Sequence, residues 1–241
     1  MDFKIIRNDI TNMKVDAVVL PANSRLWEGS GTSHAIYEKA GRKELKNACK
    51  KYGKVDVGAS VPTSGFNLEA KYILHTVVPK WRGGMHNEYT LLCASYLSAL
   101  HLADEMKCES IAFPLLSSGN NGFDLLLAYD IARKCMEEYV AKKKLREVYL
   151  VVYNMEVISM LEKLGVHVDE LIDDQYVLEK DESYKLPVQN ALKEGKEIGK
   201  KLVGDAFNMA KEYLDDPENR RQILEMSAKI VAEIVKKSKK K

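Results

Sequence analysis

The sequence predicts an α/β fold, a largely parallel sheet covered by helices on both faces, with further helices towards the C-terminal end. Three observations carry that expectation. Apolar, β-branched runs of strand length alternate with amphipathic stretches of helix length from residue 3 to residue 164. The run at 148–153 is apolar throughout and that at 15–20 is apolar but for Asp16, neither alternating, which is the pattern of strands buried on both faces and joined by crossovers. Two of the runs are followed by glycine-bearing loops that open directly into helices, Gly29-Ser30-Gly31 and Ser117-Ser118-Gly119-Asn120-Asn121-Gly122-Phe123.

Residues 3–6 predict a short strand, and Arg7-Asn8-Asp9-Ile10-Thr11 is a polar turn leading into the buried strand at 15–20, so Asp9 lies at a strand end. After the first glycine loop, Thr32 or Ser33 is placed to cap a helix with Ala35, Ile36 and Ala40 on one face, and Gly41 to end it. The helical pattern continues over 43–52, and a glycine-punctuated connection leaves room for a strand near 59–63. Residues 71–78 read as a strand ended by Pro79. The wide apolar stripe of 88–106 (Leu91, Leu92, Tyr96, Leu97, Leu100) is that of a helix packed on a sheet. A strand at 110–114, the second glycine loop, a helix over about 125–143, a strand at 148–153 and a helix at 155–164 complete the pattern.

Beyond residue 166 the character changes. The stretch to 190 is acidic and irregular, with Pro187 against helix, and reads as a linker or strap. Residues 189–214 and 217–237 then predict two helices divided by Asp215-Asp216-Pro217, with Asp216 as N-cap and Pro217 at the first helical position. The expected division is one domain over 1–167, a linker or strap over 168–188, and a helical extension over 189–241.

At 241 residues, 27.3 kDa and 46% hydrophobic content, the chain suffices for one sizeable core with an appendage. No run approaches the roughly 18 apolar residues that span a bilayer. The first residues, MDFKIIRND, lack the basic-then-apolar layout of a signal peptide, so a cytoplasmic protein without membrane contact is expected. Cys49, Cys93, Cys108 and Cys135 are widely spaced, which suggests neither a zinc knuckle nor a disulfide framework and implies reduced, partly buried thiols. A net charge of +2 gives no argument for nucleic-acid binding by the whole molecule, but it conceals a basic end, Lys236-Lys237-Ser238-Lys239-Lys240-Lys241. That tail reads either as a solvated run or as an electrostatic contact with nucleic acid or an anionic partner.

Strand, glycine loop and helix N-terminus in that order make an anion site, because unpaired first-turn N–H groups and the positive end of the helix dipole face the loop. One such loop reads equally well as a tight turn. Two at equivalent places, both at the carboxyl ends of strands, point to a diphosphate cradle. Neither carries a Walker lysine or the full G-x-G-x-x-G fingerprint with its acidic partner, which disfavours nucleotide triphosphate hydrolysis and nicotinamide redox chemistry.

The residues also carry a resemblance. Asn8-Asp9-Ile10-Thr11, Val15-Asp16-Ala17-Val18-Val19 with Ala22-Asn23-Ser24, the Gly-Ser-Gly loop, Thr63-Ser64-Gly65-Phe66, the strand from Tyr72 through His75 to Pro79 with Trp81, Ser110-Ile111-Ala112-Phe113-Pro114, the second glycine loop and Tyr153 follow one another as in the macrodomain family. The likeness covers residues 1–167. It implies a three-layer α/β/α sandwich with a mixed, mainly parallel sheet that binds ADP-ribose, free or attached to a macromolecule, and it implies no metal and no cofactor.

By position, Asp9 resembles the family acid that accepts a hydrogen bond from the adenine amino group, with Ile10 beside the ring; taken alone it reads as a turn-capping aspartate. Asn23 resembles the asparagine at the distal ribose and is the candidate catalytic residue. Gly29, Ser30, Gly31, Thr32 and Ser33 form the first ligand loop. Ser117, Ser118, Gly119, Asn120, Asn121, Gly122 and Phe123 match the loop whose amides hold the diphosphate, with Phe123 near the distal ribose. Tyr153 matches a position that flanks adenine, or is plain core. His75 matches a family histidine of the strand interior and reads as a satisfied core residue.

The departures bear on mechanism. Leu20 replaces the first asparagine of the family's Asn-Ala-Ala-Asn segment. In the branch that removes ADP-ribose from acidic side chains, an aspartate follows the glycine loop and a histidine lies one helical turn later; these positions are Ser33 and Tyr37 here. A serine at its ordinary pKa does not replace a water-activating carboxylate. His34 is adjacent but rotated by about 100° along the helix. The expectation is therefore binding with weak or no hydrolysis by that route. Two alternatives stand: a hydrolase using substrate-assisted water activation, and a scaffold acting through residues 190–241 with a vestigial cleft. The oligomeric state is left open.

Overall fold

The computed structural model describes residues 2–140, 145–180 and 208. In chain order these form β1 (Asp2–Arg7), β2 (Ala17–Ala22), α1 (Thr32–Ala40), α2 (Arg42–Cys49), β3 (Ser60–Ser64), β4 (Tyr72–Val77), α3 (Glu88–Glu105), β5 (Ser110–Pro114), α4 (Leu125–Val140), β6 (Glu147–Val152), α5 (Met155–Lys163), β7 (Asp169–Glu170) and α6 (Asp174–Lys180). The strands lie side by side in the order β3-β4-β2-β5-β6-β1-β7. Among the described residues only the β3–β4 pair is antiparallel.

Both faces of the sheet are covered, as uniformly apolar strands require. Val18, Leu20, Ile73, Ala112 and Val151 pack with Ile36, Tyr37, Leu45 and Cys49 of α1 and α2. From the opposite face Val19, Leu74, Ile111, Phe113 and Leu150 pack with Leu92 and Leu100 of α3, Ile131 of α4 and Ile158 of α5. The result is the three-layer sandwich with a mixed, mainly parallel sheet. Among the described residues no helix is long and apolar enough to cross a membrane.

Several boundaries differ from the sequence reading. The second strand, expected at 15–20, begins and ends two residues later and takes in Pro21. Asp16 O accepts from Tyr72 N–H and Ala22 O from Val78 N–H, which puts the even-numbered peptide groups of β2 towards β4. Pro21 therefore faces β5, where pairing has already ended at Val18, and its missing N–H leaves no gap in the ladder. Thr32 and Ser33 do not cap α1; Gly31 is its N-cap, at φ +56°, and no side chain bonds there. Gly41, at φ +102°, ends the helix as expected.

The largest difference lies after α5. Residues 169 and 170, in the segment expected to be an irregular strap, add β7 to the sheet edge through Ile6 and Arg7, and α6 follows. The cause is a buried cation: the Arg7 side chain is 4% exposed, and its guanidinium donates to Glu170 Oε2 at 2.7 Å and to Asp174. Apart from residue 208, the helices expected at 189–214 and 217–237 and the lysine tail lie outside the described residues, as does the expected end of α4 at 141–143.

Candidate functional site

At the carboxyl end of β1, Asp9 caps a 3-10 turn at Ile10–Asn12. Its Oδ1 accepts from Thr11 N–H at 2.9 Å and from Thr11 Oγ1 at 2.8 Å, so half of the carboxylate fixes the turn. Oδ2 accepts from the Tyr176 hydroxyl of α6 at 3.2 Å, and that same hydroxyl accepts from Asn12 Nδ2 at 3.0 Å. Ile10 is buried beside it. Tyr153 follows β6 directly, and Asn8 N–H donates to Val152 O, so the half-buried Tyr153 stands at the same end of the neighbouring strand as Asp9.

The two glycine loops face one another. Asn120 Nδ2 donates to Ser30 Oγ at 2.6 Å across the gap between them. In the first loop, Gly29 N–H donates to Ser33 Oγ at 3.0 Å, and helical bonding begins only with Ala35 N–H to Gly31 O. The N–H groups of Thr32, Ser33 and His34 consequently have no acceptor among the described residues, which is the anion-binding state of a helix start. In the second loop, Gly122 and Phe123 close turns onto Gly119 O and Ser117 O, whereas the N–H groups of Ser118, Gly119, Asn120 and Asn121 find no acceptor among the described residues. Two hydroxyls hold this loop down: Ser117 Oγ donates to Pro79 O at 2.9 Å and Ser118 Oγ to Leu115 O at 2.8 Å.

Asn23 leads out of β2 into the first loop. Its Oδ1 accepts from Arg25 and Trp27 N–H at 3.1 and 3.2 Å, and its Nδ2 donates to Trp27 O at 2.8 Å, leaving one amide hydrogen unused. Phe123 is 3% exposed and meets the Trp81 ring edge-on at 5.1 Å. It is thus the buried floor of the second loop, with Trp81 N–H bonded to Asn121 O at 2.7 Å beside it. Among the described residues no three His, Cys, Asp or Glu side chains converge to hold a metal ion.

The Macro domain family model matches residues 19–132. Macro domain-containing protein TTE0995 of Caldanaerobacter subterraneus subsp. tengcongensis is 40% identical over 154 residues, 63% of this chain and 88% of that one. The O-acetyl-ADP-ribose deacetylase of Escherichia fergusonii is 41% identical over 157 residues, again 63% of this chain and 88% of its own length. The chain belongs to the macro domain family. Among solved structures, a mutant of the Oceanobacillus iheyensis macrodomain with ADPR superposes at a TM-score of 0.63 with 28% identity, covering 73% of this chain and 92% of that one. The Trypanosoma brucei macrodomain in complex with ADP-ribose superposes at 0.61 with 28% identity, covering 68% of each.

In this macrodomain Ser33 and Tyr37, where the resemblance leads one to expect an Asp/His pair, are built into the scaffold. Ser33 is 5% exposed and spends its hydroxyl on Gly29 N–H. Tyr37 is fully buried, donates to Leu26 O at 2.6 Å and lies 3.4 Å from Cys49 Sγ; burial, then the Cys49 contact, push its pKa upward. His34 turns to Glu28, with Nδ1 3.1 Å from the carboxylate. His75 has no exposed surface, lies with Nε2 2.9 Å from Thr63 Oγ1, and is depressed by burial to about 3, so it is a neutral core residue.

The sequence reading missed Arg7, Tyr176 and Trp27. The last two had local signals. Asp173 Oδ1 accepts from Tyr176 N–H at 2.9 Å, an N-cap pattern legible as an aspartate three residues ahead of an apolar pair. Trp27 is a tryptophan in a polar, glycine-bearing loop, an unusual place for an indole.

Proposed function

We propose that this macrodomain binds ADP-ribose, free or carried on a modified macromolecule. The observation that carries the reading is the approach of two loops with unpartnered amides, joined by Asn120 and Ser30 at 2.6 Å. In this reading the diphosphate lies against the amides of 32–34 and 118–121, the adenine amino group donates to Asp9 Oδ2 between Ile10 and Tyr153, and the unused amide hydrogen of Asn23 serves the distal ribose. A cytoplasmic setting is supported by four buried cysteines that stand as free thiols. Calorimetric titration with ADP-ribose tests the reading. Asp9→Asn keeps the Thr11 acceptor but turns a donor towards the purine, and should weaken binding by roughly 10- to 100-fold, the cost of a lost charge-assisted hydrogen bond. No heat from the wild-type protein at millimolar ADP-ribose removes it.

A second reading, hydrolysis of an ADP-ribose ester, is supported by relatives named O-acetyl-ADP-ribose deacetylases. With Ser33 and Tyr37 committed to the scaffold, water activation falls to a ligand phosphate and ordered backbone, with Asn23 orienting the sugar. Acetate release from O-acetyl-ADP-ribose that is lost in Asn23→Ala and retained in Ser33→Ala is the expected result of that route; no release from the wild type removes it.

A further inference from the structure

Behind the Asn23 turn, the chain from Arg25 to Gly29 and helix α2 enclose a groove of about 1230 Å³. Six cations line it, Arg25, Arg42, Lys43, Lys46, Lys50 and Lys54, against a single carboxylate, Glu28. That carboxylate is already committed. It accepts from Arg42 Nε at 2.9 Å and lies 3.0 Å from Lys46 Nζ, and these two cations hold it down to about 2. Lys43, Lys50 and Lys54 are exposed and have no ion pair among the described residues. Lys43 and Lys46 on α2 and Lys50 on the 3-10 turn that extends it follow at helical spacing, so they form a ladder along one side rather than a scatter.

The rim of the same groove carries Trp27, 63% exposed. Its ring is held by the Arg25 guanidinium, whose carbon lies 4.8 Å from the ring centre. Burying an indole is favourable, and this one is left in solvent beside a concentration of uncompensated positive charge. Cations that track a backbone together with an aromatic face for stacking are what an unpaired strand of nucleotides requires. A duplex keeps its bases stacked and offers none to Trp27. An acidic peptide would satisfy the lysines and leave the indole unused.

We propose that this groove binds single-stranded nucleic acid, with backbone phosphates on Lys43, Lys50 and Lys54 and a base stacked on Trp27. The site is distinct from the cleft and stands without it. The two are nevertheless continuous: Gly29 both ends the groove and opens the first glycine loop, and the Asn23 side chain is bonded to the main chain of Arg25 and Trp27. A strand that carries an ADP-ribose group would thus place the modification in the cleft while lying in the groove, a consequence that rests on the cleft reading above.

The test uses the full chain and a fluorescently labelled twelve-nucleotide single strand, followed by anisotropy from 50 to 200 mM salt. Replacing three phosphate-binding lysines in Lys43→Gln/Lys50→Gln/Lys54→Gln should lower the slope of log affinity against log salt by about 2, at about 0.7 per phosphate on a single strand. Trp27→Ala should weaken binding by roughly 5- to 150-fold, the range for loss of one stacked base. The wild type should show tryptophan quenching on binding that Trp27→Ala abolishes. All variants keep the lysine tail, so binding through the tail alone leaves the slope and the quenching unchanged, which overturns the proposal. Competition by polyglutamate as effective as by the unlabelled strand overturns it in favour of an acidic peptide. Thermal melting establishes that each variant is folded. Loss of ADP-ribose binding with strand binding intact sinks the cleft reading alone; the converse sinks only the groove.

Discussion

Lowering the pH should destabilise this macrodomain through His75 before any carboxylate contributes. The imidazole has an ordinary value of 6.5 and is held at about 3 in the folded protein, because burial penalises its charged form. Its only described polar neighbours are Thr63 Oγ1 at 2.9 Å and the Cys49 sulfur at 3.8 Å, and no carboxylate compensates a proton there. The folded state therefore binds fewer protons than the unfolded state between these values, and stability falls as pH falls from 6.5 towards 3. The slope is about 1.4 kcal/mol per pH unit, so the loss between pH 8 and pH 4.5 is on the order of 3 kcal/mol. For a domain of this size that lowers the melting temperature by about 5–10 °C. Asp16 and Glu28 also have lowered values, but a depressed carboxylate loses its contribution only as pH falls below its ordinary 3.8 or 4.5, which leaves the window above 4.5 to His75. Urea unfolding of the wild type and of His75→Gln at half-unit steps from pH 8 to 4.5 checks this. The variant is expected to be less stable at pH 8 and to lose little more on acidification; parallel curves for the two proteins would refute the reasoning.

Two further outcomes follow from particular contacts. In Tyr176→Phe the hydroxyl that occupies Asp9 Oδ2 is gone, so the purine no longer displaces a hydrogen bond, and ADP-ribose affinity by calorimetry should rise by roughly 2- to 10-fold; equal or weaker binding counts against Asp9 as the purine acceptor. Gly65→Ala would place a Cβ 1.8 Å from Ala70 O, where backbone cannot yield as a flexible side chain would, so the urea midpoint should drop by the equivalent of about 1–3 kcal/mol or more.

The sheet was legible because its strands are buried on both faces, which writes burial into consecutive residues. Ser110–Pro114 matches the expected strand to the residue, and α5 to within one. The segment at 169–180 was not legible, because what orders it lies far away: Arg7 is separated from Glu170 and Asp174 by 163 and 167 residues. Read locally, a run of acids is a solvated stretch; only pairing with a buried guanidinium makes it an edge strand and a helix. The Ser33 expectation failed for a different reason. An N-cap hydroxyl and a hydroxyl that receives a loop amide have the same residue type at nearly the same place, and Gly31 at positive φ took the cap. Of the two meanings read for Asp9, the structure shows the turn cap, through Oδ1, while Oδ2 accepts from the Tyr176 hydroxyl.

Ser33 and Tyr37, at the positions the resemblance gives to an Asp/His pair, are best understood through what holds the first loop. Tyr37 sits fully buried beneath that loop and bonds to Leu26 O, within the turn that Asn23 closes; Ser33 bonds back to Gly29 at the other end of the same turn. Residues 23–29 are thereby tied at the start by Asn23, in the middle by Tyr37 and at the end by Ser33. A carboxylate at position 33 would still offer Gly29 N–H an acceptor, whereas an imidazole at position 37 is shorter than the phenol that reaches Leu26 O. An Asp/His pair at these positions would therefore remove the middle tie, that of Tyr37, while adding an acid and a base. The arrangement that results is a loop with fixed amides, which favours binding an anion, and with its lip fixed in the shape that presents Trp27 outward. Ser33 and Tyr37, which fix the first loop, thus also set the geometry of the basic groove beside it.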